Sequence, residues 1–106
     1  MKLSNLDNMF KGWFIGDFEP SLNSTSNVEV AVKKYKKGDY EKKHYHKLST
    51  EYTVIISGLA ELNNERFSEG TIIEISPNES ADFKALQDTI TVVVKIPGTK
   101  NDKYFE

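Results

Sequence analysis

No cysteine occurs among the 106 residues of this chain. Disulfides, zinc-thiolate sites, iron-sulfur clusters and thiol nucleophiles are thereby excluded, so any metal must sit on nitrogen and oxygen. An excess of positive charge is missing too, since 14 Lys and Arg face 16 Asp and Glu for a formal charge of −2. A nucleic-acid backbone finds no general attraction in that balance, and no nucleic-acid partner is expected. No apolar run approaches the ~18 residues of a membrane span. The segment Met1-Lys2-Leu3-Ser4-Asn5-Leu6-Asp7 also lacks the apolar core of a secretory leader, so the expected location is the cytoplasm, with no membrane partner. Sustained helical periodicity is absent after the first dozen residues, and no strand pattern alternates with a long helix, which rules out a βαβ architecture.

What is present fits one compact domain spanning residues 1–106, enough for a small sandwich or barrel. Leu3, Leu6 and Phe10 recur at helical spacing, with Ser4 three residues before Asp7, and predict a short N-terminal helix of about two turns closed by Gly12. Trp13 to Phe18 is aromatic-rich and suits a strand, with Trp13, Phe14 and Phe18 expected to pack under the barrel or in a subunit interface. Val28 to Tyr35, Glu51 to Ser57, Leu59 to Leu62, Thr71 to Ile75, Ala81 to Ala85 and Thr89 to Ile96 are short strand patterns separated by turn residues, and Asn63-Asn64 is a two-residue hairpin signal. An antiparallel all-β jelly roll or barrel follows. The polar segment Pro97 to Glu106 is expected to lie exposed or to cross a partner subunit.

The chain has only two histidines, His44 and His46. On a strand, residues i and i+2 share a face with Cα atoms about 6.5–7 Å apart, so both imidazoles can reach one ion. Glu51 opens the next β-rich run, and if Lys47-Leu48-Ser49-Thr50 form the connection, its carboxylate joins them from a neighbouring strand. Two histidines and a carboxylate describe a facial triad with open positions, suited to iron(II) or manganese, with zinc and nickel also open. The plainer alternative is a solvated strand edge carrying one more surface carboxylate.

Gly38, His44, His46, Glu51 and Gly58 stand at the spacings G-x5-H-x-H-x4-E-x6-G, which resembles the first conserved motif of the cupin superfamily. The resemblance implies a small jelly-roll β-barrel whose core runs from about residue 28 to 96, with the two histidines and the glutamate binding a divalent transition metal (Fe, Mn, Zn or Ni) inside it. The second cupin motif is degenerate. Gly70 and Pro77 are recognisable with one extra residue between them, Glu79 replaces a glycine, and Asp82 stands where a third metal-binding histidine is expected. Asp82 is then an oxygen ligand, a group bonded to a ligand's water, or a turn cap. The resemblance also implies a homodimer.

Strand parity adds pocket candidates. Glu51, Thr53, Ile55 and Ser57 share one face, which puts Thr53 and Ile55 in the pocket wall beside Glu51. If the histidine strand is regular, Tyr40 and Lys42 share the face of His44 and His46 and become mouth residues able to bind an anionic substrate, against the alternative of ordinary rim exposure. Three functions remain open: a metal-dependent enzyme of oxygenase, isomerase or lyase type acting on a small organic molecule; a noncatalytic binder of a small ligand such as a sugar; and a metal-free sugar-nucleotide isomerase or epimerase with a histidine as general base.

Overall fold

The β-branched runs pair into two five-stranded antiparallel sheets in the computed structural model, which describes residues 1–106. The strands are β1 (Trp13–Ile15), β2 (Glu29–Tyr35), β3 (Tyr40–Tyr45), β4 (Thr50–Ser57), β5 (Leu59–Leu62), β6 (Glu65–Ser68), β7 (Ile72–Ile75), β8 (Ala81–Ala85), β9 (Thr89–Ile96) and β10 (Tyr104–Phe105). One sheet has the order β1-β2-β9-β4-β7 and the other β10-β3-β8-β5-β6. This is a jelly roll. β9 lies between β2 and β4, its outer face apolar through Ile90, Val92 and Val94 and its inner face carrying Thr89, Thr91, Val93 and Lys95.

Alternation sorts the first sheet into two faces. Ala31, Thr53, Ile55, Thr91 and Val93 are buried between the sheets. The register Val32↔Val92↔Val54↔Ile72 places a row of branched apolar side chains on the opposite, outer face. A core of Ile55, Ala60, Leu62, Ala81, Phe83 and Ala85, drawn from both sheets, closes one end of the barrel. Two turns show why their residues are required. Asn63 and Asn64 both have positive φ, 51° and 67°, the conformation that a tight hairpin between β5 and β6 demands and that asparagine tolerates. Gly58 has φ +97°, and a Cβ there would meet the Asp88 carbonyl oxygen at 2.4 Å.

Both ends of the chain depart from expectation. The N-terminal helix is a single 3₁₀ turn, Leu6–Asn8, capped by Asn5, whose side chain accepts the Asp7 N–H at 2.9 Å, and not by Ser4. Leu3 and Phe10 stay exposed, so the apolar spacing had no surface to pack on and a longer helix gained nothing. The C-terminal segment is exposed over most of its length, as expected, but it is anchored. Tyr104 and Phe105 pair with Tyr45 and His44 as β10, and the buried Asp102 carboxylate accepts the backbone N–H groups of Lys47, Leu48 and Ser49 at 2.9, 3.0 and 3.1 Å.

β3 is not regular. Its partners on β8 run Glu41↔Phe83 and then His44↔Ala81, so three steps on β3 answer two on β8. This bulge reverses which side chains face inward along the strand. No helix is long and apolar enough to cross a membrane.

Candidate metal centre

His44 near the end of β3, His46 just beyond it and Glu51 at the start of β4 converge so that one donor atom from each lies within 4.8 Å of the others. The connection Lys47–Ser49 that joins the histidines to the glutamate is the segment Asp102 holds, and Ser49 Oγ also donates to the Pro97 carbonyl at 2.7 Å. His44 Nδ1 sits 2.9 Å from the Lys42 carbonyl. Donation of its proton there leaves Nε2 with the free lone pair, the tautomer a metal ligand needs. Thr53 Oγ1 lies 3.4 Å from Glu51 Oε2 and steadies the carboxylate from the same strand face.

His46 is the most telling member. It is 5% exposed, and its Nε2 is buried without a hydrogen-bond partner. An orphaned buried polar atom costs about 1–3 kcal/mol, and an imidazole nitrogen without a protein partner is free to bind an ion. Burial first, then the charges of Lys95 and His44, push its pKa down to about 4. The ring is therefore neutral at pH 7, as coordination requires. Nitrogen, nitrogen and carboxylate oxygen, with no thiolate, form a donor set that fits a divalent first-row ion.

The triad opens onto a cavity of ≈60 Å³ between the sheets. Leu62, Ile75, Ala81, Phe83 and Val93 form its apolar floor, and the polar wall carries Lys33, Tyr35, Glu41, Lys95 and Lys103. Lys33 Nζ bonds Glu41 Oε2 at 2.8 Å. Burial alone raises the Glu41 pKa, but the adjacent Lys33 ammonium outweighs it and holds the carboxyl below its ordinary value. Tyr35 moves the other way: burial, and then the Glu41 charge, raise its pKa, so the phenol keeps its proton. Trp13 completes the wall, with Lys33 and Lys95 Nζ 5.8 and 5.0 Å from its ring centre.

Of the residues singled out from sequence, His44, His46, Glu51 and Thr53 are brought together. Asp82 lines the cavity but stands outside the convergent trio. Its Oδ1 accepts the Asn63 N–H at 2.7 Å while Asn63 Oδ1 faces the Asp82 N–H at 3.3 Å, which makes it an anchor of the β5–β6 turn. Ile55 faces inward as expected but is fully buried in the core and is not a wall of the cavity. Tyr40 and Lys42 are not mouth residues. Tyr40 is 59% exposed on a groove beside the N-terminal turn, and the exposed Lys42 holds its ammonium over the Phe105 ring. The bulge in β3 is the reason, because it turns Glu41 inward in their stead. Trp13 had been expected only to pack, and Glu41 and Lys103 carried no motif.

No family model matches the sequence, and no curated protein matches it. Solved structures do. A protein with a double-stranded β-helix domain from Klebsiella pneumoniae is similar with TM-score 0.66 and 24% identity, covering 71% of this chain and 67% of that one. An RmlC-like cupin from Shewanella frigidimarina is similar with TM-score 0.65 and 14% identity, over 73% and 71% of the two chains. Oxalate decarboxylase from Bacillus subtilis, a protein with Mn(II) centres, is similar with TM-score 0.62 and 20% identity over 76% of this chain, which spans 24% of that one. These likenesses define the fold, the small double-stranded β-helix, or jelly roll, of the cupins.

Proposed function

We propose that this chain is a metal-dependent enzyme acting on a small organic molecule, with His44, His46 and Glu51 as the ligands of one Fe, Mn, Zn or Ni ion. The observation that carries this reading is the buried, partnerless Nε2 of His46 among donor atoms within 4.8 Å of one another. Three protein ligands leave coordination positions free, where the bound ion supplies Lewis acidity toward a substrate oxygen. The chain's own groups do the rest. The Lys42 carbonyl fixes the His44 tautomer, the apolar floor excludes water, and Tyr35, protonated, donates toward Glu41 and holds that carboxylate in the wall. Asp82, occupied by Asn63, acts as a wall and not as a fourth ligand.

Metal-free acid–base chemistry through His46 has less support, because a base held near pKa 4 is weak at neutral pH. Elemental analysis of protein purified without an affinity tag is expected to find near-stoichiometric transition metal, or to find it after anaerobic loading with iron(II), manganese or zinc. Metal in neither preparation overturns the reading in favour of a metal-free binder or isomerase.

The outer face of the first sheet, with Val32, Val92, Val54 and Ile72 in one row and Ile72 65% exposed, is the surface for a second copy of this chain. A flat apolar sheet face is matched by another of the same kind, which gives a self-complementary two-fold contact. Sedimentation is expected to give a dimer for the wild type and a folded monomer for Val54→Lys; a monomeric wild type removes this partner.

A further inference from the structure

Three lysines from three different parts of the chain converge on the cavity that holds the histidine–glutamate cluster: Lys33 from β2, Lys95 from β9 and Lys103 from the C-terminal segment. They are not equivalent. Lys33 is tied to Glu41 at 2.8 Å, and Lys95 lies 3.7 Å from Glu29, which is outside the cavity wall. Lys103 makes no ion pair with any carboxylate. It is nevertheless held in place from both sides. Asp102 before it is locked onto the Lys47–Ser49 backbone, and Tyr104 after it pairs with Tyr45 in β10 and stacks on its ring at 5.4 Å between centroids. Lys103 is exposed at the cavity rim, with Nζ 5.4 Å from the Phe105 ring centre, and an ammonium there with no carboxylate partner is open to an anion.

Three carboxylates, Glu41, Glu51 and Asp82, line the cavity with the three lysines. Glu41 is bound to Lys33 and Glu29 to Lys95, so Lys103 is the cavity lysine left without a carboxylate at ion-pair distance. With ≈60 Å³ available, the space admits an ion and a few water-sized groups, which excludes bulky ligands. We infer that the ligand of this site is a small organic carboxylate, its charged group held between Lys103 and Lys95 and its remaining atoms turned toward His44, His46 and Glu51. The inference rests on the proposed function for what happens to the ligand, but the lysine pair is independent of whether a metal is bound.

The test uses that independence. Trp13 is the single tryptophan of the chain and lines the same cavity, so its fluorescence reports binding there. Metal-free protein, kept in chelator at fixed ionic strength, is titrated with acetate, with the neutral isostere acetamide and with inorganic phosphate. Acetate is expected to saturate the signal and acetamide to leave it unchanged. Lys103→Gln is expected to weaken acetate binding by about tenfold, the value of one charge-assisted hydrogen bond, while Lys84→Gln, on the exposed outer side of β8, has no effect. Zinc titration of the same Lys103→Gln protein, followed by calorimetry, is expected to show the same one-to-one stoichiometry as the wild type, with affinity no weaker because a cation beside the ligands has been removed. Equal binding of acetate and acetamide, tighter binding of phosphate than acetate, no acetate binding, or acetate affinity unchanged by Lys103→Gln each overturns the carboxylate site. Failure of the wild type to bind zinc while acetate still binds through Lys103 overturns the metal reading alone.

Discussion

Replacing His44 and His46 together by alanine is expected to lower zinc or manganese affinity by more than about a hundredfold while leaving the metal-free barrel folded. Two of three ligands are lost, and second-layer changes alone typically cost ten- to hundredfold. The fold survives because the pair contributes little to the metal-free protein. His46 Nε2 bonds nothing, and His44 is only half-buried, its one side-chain hydrogen bond going to the nearby Lys42 carbonyl. In thermal unfolding, wild type is expected to gain stability with added metal by linkage, and the double variant to show no dependence on metal. A metal-dependent shift of equal size in both proteins would place the ion elsewhere. Since His46 is pushed down to about 4, it is neutral well above that pH, and metal uptake at pH 7 is expected to displace no proton from it.

Asp102→Ala is expected to cost about 3 kcal/mol of stability, on the scale of hydrogen bonds to a charged group, and to lower Tm by roughly 15 °C for a domain of this size. One carboxylate, 4% exposed, satisfies three backbone donors, and its removal leaves them without an acceptor. Burial raises the Asp102 pKa, but the Lys47, Leu48 and Ser49 N–H groups prevail and hold it below the ordinary aspartate value. A depressed folded-state pKa means the stabilisation is complete above the unfolded pKa and is lost as pH falls through the folded one. Wild type and Asp102→Ala should therefore converge in strong acid and differ most at neutral pH. Urea denaturation at the two conditions measures this. Asp102→Ala is also expected to weaken metal binding, because the slackened segment is the tether between His46 and Glu51; unaltered stability and metal affinity would refute the clasp.

The strands and the donor trio were legible because their signals are local. Val28 to Tyr35 and Thr89 to Ile96 announce themselves by β-branched alternation, Asn63-Asn64 by its turn chemistry, and His44, His46 and Glu51 by short spacings that two adjacent strands preserve. The remaining wall of the cavity was not legible. One extra residue between Glu41 and His44 exchanges the faces of β3, and alternation read from the sequence carries past it, which is why a regular strand points to Tyr40 and Lys42 and the structure to Glu41. Trp13 and Lys103 reach the site from opposite ends of the chain, a juxtaposition set by sheet order and not by any spacing. The tail reads as polar, yet its one buried carboxylate decides where it lies.

Asp102 meets the loop it holds at sequence separations of 53 to 55 residues. Contacts of such long range form only after the loop-closure entropy between them has been met, and they come late on the folding path. The short motif that carries both histidines thus takes its shape from a residue far along the chain. A chain cut before Asp102 would carry all three donor residues and lack the clasp that sets the path between His46 and Glu51.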